Sequence, residues 1–259
     1  MIEEHLSESI IIFSVFVFFI AGFVKGCIGM GLPLVSLSLL TLYTSPRMAM
    51  TLIIIPTLVT NFLQFYRSEN KFENIRRYSP LLFFLFLFTY FSSLFSFSLM
   101  EETLSLTLGV IILIFVLYQR FNTLPEIGKN HEILVQILFG SLIGVVAGIT
   151  NVWAPTIGTL LLLKKVQKNH FIALTGLFIF VGSLALLISY GLNDKYNSEL
   201  VALSSGFLIP AAVGFILGEK VRVYISERIF YRILMVFLFI VSINLIIKSS
   251  CWLLLASKW

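Results

Sequence analysis

Lys25 lies inside the apolar run 10–44, and glycines stand at positions 22, 26, 29 and 31 around it, with Pro33 following. A bare ammonium at the centre of an apolar helix costs about 2.5–3.5 kcal/mol on insertion scales, and no acid neighbours this lysine in the sequence. Two readings compensate the charge. In one, it meets an anionic ligand, and Gly26, Gly29 and Gly31 let that ligand approach the backbone closely. In the other, the side chain snorkels to the membrane surface or meets backbone carbonyls.

A second group of polar residues accompanies it. Thr57, Asn61 and Gln64 occur in an apolar run, and Asn61 and Gln64, three apart, share a helix face. Thr150, Asn151 and Trp153 fall between Gly148 and Pro155. Side-chain amides, hydroxyls and an indole N–H are all donors to an oxyanion. The competing reading for Asn61 and Gln64 is an interhelical hydrogen bond, and for the glycines it is tight helix packing through small residues. Pro33 and Pro155 suit the first turn of a helix, where a missing N–H is no loss. Two such helix starts, pointing inward, would aim free N–H groups and positive dipole ends at a shared anion.

The elements that must position these residues follow from composition. The chain is 58% apolar and 12% charged, against about 25% charged residues in a soluble domain. The apolar segments are roughly 10–44, 47–66, 79–98, 102–120, 133–163, 171–191, 199–218 and 229–248. A helix needs about 20 apolar residues to cross the hydrocarbon, and the short alternating strands of a membrane barrel are absent. The fold expected is an all-α, multi-pass membrane protein forming one transporter-sized domain over 1–259.

Basic residues in short loops mark the cytoplasmic side. Arg67, Lys71, Arg76 and Arg77, then Arg120 and Lys129, then Lys164, Lys165 and Lys168, then Lys220, Arg222 and Arg228 are placed inside. The turns at 99–101 and 192–198 are placed outside, with the acidic N-terminus. Segments 10–44 and 133–163 then begin and end on one side. Each is expected to be a re-entrant hairpin of two half-helices meeting near the midplane, an irregularity tolerated where protein or a cavity surrounds it. One long tilted or kinked span per segment is the alternative. The two segments also match: Gly22, Gly26 and Pro33 form G-x3-G-x6-P, and Gly144, Gly148 and Pro155 repeat it. Three ordinary spans follow each, so the expectation is two inverted four-segment repeats, 10–121 and 133–248. Interrupted helices at equivalent places in inverted repeats point to a secondary transporter and its site.

Several classes are disfavoured. All thirteen acidic residues fall in termini, loops or segment ends, whereas proton relays and cation sites use embedded carboxylates. There is no P-loop and no H-E-x-x-H, so neither ATP hydrolysis nor metalloenzyme chemistry is indicated, and the chain is not read as an enzyme. Cys27 and Cys251 lack metal-ligand spacing; no metal or cofactor is implied. The net charge of +5 is assigned to cytoplasmic loops rather than to nucleic-acid binding. The N-terminus has no basic stretch before its apolar run and no small-residue cleavage site, so no cleavable signal is expected.

At these motifs the sequence resembles the sulfite exporter TauE/SafE family of membrane transporters. The resemblance is carried by Ala21-Gly22-Phe23-Val24-Lys25-Gly26-Cys27-Ile28-Gly29-Met30-Gly31-Leu32-Pro33, by Pro46-Arg47-Met48-Ala49-Met50, by Pro56-Thr57-Leu58-Val59-Thr60-Asn61-Phe62-Leu63-Gln64, and by Gly148-Ile149-Thr150-Asn151-Val152-Trp153-Ala154-Pro155. The last departs from the family's second motif, which is often richer in glycine or carries paired prolines. Pro210, Gly214 and Gly218 extend the likeness toward the C-terminus. The resemblance implies a carrier in the cell membrane for sulfite, sulfonates or related small anions. Export is the direction favoured, because the membrane potential alone drives an anion out, by about 2.3 kcal/mol per charge at 100 mV. An anion channel using the same site is the alternative. The partners expected are the anion and the bilayer, with a homodimer left open.

Overall fold

The structure is a computed structural model and describes residues 8–118, 132–164 and 166–221, with helical positions at 235–236, 239–240, 242–247 and 249. All regular structure among them is α-helical. In chain order the helices are α1 (Glu8–Ile28), α2 (Leu32–Leu40), α3 (Pro46–Leu52), α4 (Ile54–Tyr66), α5 (Lys71–Arg77), α6 (Ser79–Ser98), α7 (Glu101–Tyr118), α8 (Glu132–Thr150), α9 (Ala154–Leu163), α10 (Lys168–Leu192) and α11 (Ser198–Val221). Six stretches among the described residues are long and apolar enough to cross a membrane: Ile10–Ile28, Pro46–Tyr66, Ser79–Ser98, Glu132–Thr150, Asn169–Leu192 and Ser198–Val221. Phe83, Phe91 and Phe95 of α6, and Ile209, Val213 and Ile216 of α11, stand exposed. Apolar surface of that extent needs lipid as its solvent, and the chain is a helical membrane protein.

The breaks in segments 10–44 and 133–163 fall between the glycines and prolines that mark them, at 29–31 and 151–153. Gly22 and Gly26 lie inside α1, and Gly144 and Gly148 inside α8. The first helix ends instead at Gly29 and Gly31, with φ of 90° and 111°, a conformation glycine alone adopts freely. The second ends at Asn151, φ 55°, in the left-handed region that Asn tolerates at a helix end. Pro33 and Pro155 are the second residues of α2 and α9. The two helices of each segment are unequal: α1 has 21 residues and α2 has 9, α8 has 19 and α9 has 10. No breaker interrupts either run before Gly29 or Asn151, so each first helix extends to about 30 Å at 1.5 Å per residue. Two of the six span-length helices are thus α1 and α8, which were expected to stop halfway. Expected span 102–120 coincides with α7, and the described half of 229–248 is helical, at 235–236, 239–240 and 242–247.

The glycines inside α1 and α8 set the packing. A Cβ on Gly22 would strike the carbonyl of Ala211, and one on Gly26 that of Phe215; Gly214 and Gly218 face Phe19 and Phe23 in return. So α1 and α11 touch backbone to backbone. Gly140, Gly144 and Gly148 press α8 on Leu81, Leu85 and Thr89 of α6 in the same way. Without a hydrophobic drive between helices in lipid, such close approach is what holds them.

Segment 47–66 is interrupted at Ile53, dividing α3 from α4. Pro56 has no N–H to give to Leu52, and Ser204 of α11 fills the gap, its Oγ donating to the Leu52 carbonyl at 2.7 Å. The 67–78 connection, expected as a loop, contains α5.

Polar contacts sort the helix ends into two groups. At one end Arg47 donates to the carbonyls of Phe97 and Leu99 and pairs with Glu101 at 3.0 Å, beside the Phe97–Tyr190 ring contact. At the other, Arg67 meets Glu219 at 3.4 Å, Arg77 meets Glu132 at 3.3 Å and Lys164 meets Glu132 at 3.0 Å. Segment 133–163 thus returns to its start. Segment 10–44 also folds back, with the Tyr43 ring 4.3 Å from that of Phe13.

Candidate functional site

Lys25 is fully buried, in the last turn of α1, where the carbonyl end of the helix favours a cation. Its position is held from behind by the glycine contact with α11. In front stands the buried face of α4, Thr57, Thr60, Asn61 and Gln64; Phe62 and Leu63 turn outward. The Lys25 Nζ donates to Asn61 Oδ1 at 2.6 Å. Asn61 Nδ2 in turn donates to the Thr57 carbonyl at 2.7 Å, which fixes the amide with its oxygen toward the ammonium. Two of the lysine's three N–H groups have no acceptor among the described residues. The Phe215 ring lies 6.0 Å from Nζ, at the outer range of a cation–π contact.

Gln64 reaches one turn further. Its Nε2 donates to the carbonyls of Gly29, at 2.9 Å, and Ile172, at 2.8 Å. It therefore ties the first break to α10. Gln64 Oε1 and Thr57 Oγ1 are buried without a partner among the described residues. Two residues beyond Gly29, Gly31 precedes α2 with no side-chain cap, so the first-turn N–H groups carry the positive end of that helix.

The second cluster is built differently. Thr150 Oγ1 donates to the Val146 carbonyl at 2.7 Å and accepts from the Val152 N–H at 3.3 Å. Asn151 Nδ2 donates to the Met50 carbonyl at 3.2 Å, and its Oδ1 accepts from Trp153 Nε1 at 2.9 Å. The buried Trp153 ring rests against Gly182. One Asn151 Nδ2 proton and the Trp153 N–H are thus bound within the protein, closing the second break against α3. No hydrogen bond among the described residues joins this cluster to Lys25.

Of the residues singled out in the sequence, Lys25, Asn61, Gln64 and Gly29 come together, with Gly31 and Pro33 at the adjoining start of α2. Gly26 and Gly148 face neighbouring backbones. Thr150, Asn151, Trp153 and Pro155 form the separate second break. Glu219 was not anticipated: its backbone packs on Gly26, next to Lys25 in the chain, and its carboxylate is paired with Arg67. The matching glycines of α1 and α11 were the signal that could have brought Glu219 to Lys25.

The polar groups left over here are two Lys25 N–H groups and, one turn to either side of Asn61, the buried Thr57 Oγ1 and Gln64 Oε1, all unpartnered among the described residues. No curated protein and no solved structure matches the chain. Residues 14–245 match the family described as sulfite exporter TauE/SafE, and with nearly its whole length covered the chain belongs to that family of membrane transporters.

Proposed function

We propose that this protein is a secondary carrier that moves small sulfur oxyanions, sulfite or sulfonates, out of the cell across the plasma membrane. The observation that carries the reading is Lys25, buried to 0% exposure and bonded to a neutral amide. A charge left that way in a membrane protein marks a ligand pathway. The substrate would lie on Lys25 Nζ, between Asn61, Gln64 and Thr57, near the first N–H groups of α2. Thr150, Asn151, Trp153 and Pro155 would shape the opposing break rather than donate to the anion. Export needs no dedicated proton relay, since the membrane potential drives an anion outward.

In this reading the chain is two inverted repeats, and a recurring order of elements supports it. The order of a long helix, a break, and a short proline-started helix recurs at α1–α2 and α8–α9. The meeting of Phe13 with Tyr43 and of Glu132 with Lys164 is consistent with hairpins that re-enter from opposite faces. With the positive-inside rule, the Glu132 end would be cytoplasmic and the Glu101 end outside. A homodimer is compatible with the exposed lipid face. Purified protein in liposomes, loaded with sulfite or a sulfonate, should show saturable flux and stimulation by substrate on the opposite side. Flux without trans-stimulation would identify a channel, and no flux of any sulfur oxyanion would remove the proposal.

A further inference from the structure

Resting on the carrier reading above, the inference concerns which anions fit. We infer that Gln64 is a specificity-determining residue, whose side-chain oxygen selects anions that also carry an O–H or N–H donor over anions that carry none.

The amide of Gln64 has its orientation fixed. Both contacts of Nε2 are to carbonyl oxygens, Gly29 and Ile172, and neither can donate. Turning the amide over would set oxygen against oxygen twice. Oε1 is therefore left as an acceptor, and it is buried without a partner in a residue 7% exposed. A buried acceptor left empty carries the desolvation penalty of that group, so it needs a donor. The free donors the protein itself offers are the Lys25 N–H groups, held one turn away by Asn61 Oδ1, and the Thr57 hydroxyl two turns away on α4.

A fully deprotonated oxyanion satisfies Lys25 and gives Gln64 nothing. An anion with a hydroxyl or amino group two or three bonds from its charged head satisfies both, because neighbours at this spacing on a helix face lie about 5–6 Å apart. Thr57 Oγ1, also buried and unpartnered, can donate to the same head or accept from the same tail. A site built to bond a substrate hydroxyl rejects the analogue that lacks it far better than an apolar pocket tells two methyl-sized groups apart.

The test uses two sulfonates of equal charge and nearly equal shape, 2-hydroxyethanesulfonate and 1-propanesulfonate, in competition for counterflow in liposomes containing the full-length protein. The expected result is a preference for the hydroxyl compound of about tenfold or more, the factor that one hydrogen bond of ordinary net strength carries, falling toward one in Gln64→Met. A parent ratio near one overturns the inference while leaving the carrier intact. A Gln64→Met protein that keeps the parent's ratio also overturns it. Should Gln64→Met fail to insert, the parent's ratio decides alone. If the parent moves neither compound nor sulfite, the carrier reading itself fails, and this inference with it.

Discussion

Glu132 and Lys164 stand at the two ends of one long apolar segment, and they meet, Nζ to Oε1, at 3.0 Å. Arg77 shares the same carboxylate. The pair joins the start of α8 to the residue after α9, so whatever depth the intervening break at Asn151 reaches, the chain leaves where it entered. Paired cysteines at Glu132 and Lys164, in a background without Cys27 and Cys251, should cross-link readily. Impermeant labels on single cysteines at Lys71, Glu132 and Lys164 should all report one side, and labels at Glu101 and Lys195 the other. Opposite sides for 132 and 164 would dismantle the hairpin and the inverted repeat together.

Lys25→Met keeps length and removes a buried charge. It should insert at least as well as the parent, since the cost of about 2.5–3.5 kcal/mol for a central lysine disappears. Anion flux should fall about tenfold or more, the factor carried by 1.4 kcal/mol of binding. Lys25→Arg should keep part of the flux, with charge retained and geometry changed. Expression-matched liposomes showing parental flux in Lys25→Met would return this lysine to a structural role.

Asn61→Asp tests the same contact from the other side. A carboxylate at the position of Oδ1, 2.6 Å from Nζ, would form a permanent ion pair and occupy the ammonium. Folding should survive, and flux should collapse, because substrate must now displace a tethered anion. Asn61→Leu removes the acceptor and leaves a buried charge alone, which costs about 3–5 kcal/mol; its melting temperature in detergent should drop well below that of Asn61→Asp. Parental flux in Asn61→Asp would separate Asn61 from the anion site.

The glycines divide into those that must stay and those that need not. Gly26→Ala would push a methyl into the Phe215 carbonyl, and overpacking of this kind costs about 1–3 kcal/mol. Gly206→Ala, where nothing lies within 4 Å, should be neutral or stabilising. Thermal unfolding of the two purified variants compares them directly, and a Gly26→Ala protein as stable as Gly206→Ala would contradict the close contact of α1 with α11.

The helix starts at Pro33 and Pro155 were legible because proline lacks the N–H that a helix interior needs, and the grouping of basic loops was legible because charges cannot stay in lipid. The role of each glycine was not. Gly26 and Gly29 are the same residue type three positions apart, yet one closes a helix–helix contact and the other bends the chain through φ 90°. Only the neighbouring helix decides between those uses, and that helix, α11, lies far along the chain. For the same reason Asn151 and Trp153 read as free donors until Met50 and each other are seen as their partners. The length of α1 and α8 was not legible either, because a helix carries internal glycines when a neighbour fills the groove.

The two glycine seams cross between the halves of the chain: α1 leans on α11, and α8 on α6. The ribosome therefore releases α1 long before its mate exists, and until α11 arrives Lys25 lacks the wall formed by Phe215. The first half then carries a bare small-residue groove on α1 until α11, from the second half, shuts it. Maturation of this protein is thus a late-closing event, and a truncation after α10 would forfeit more than the residues it deletes.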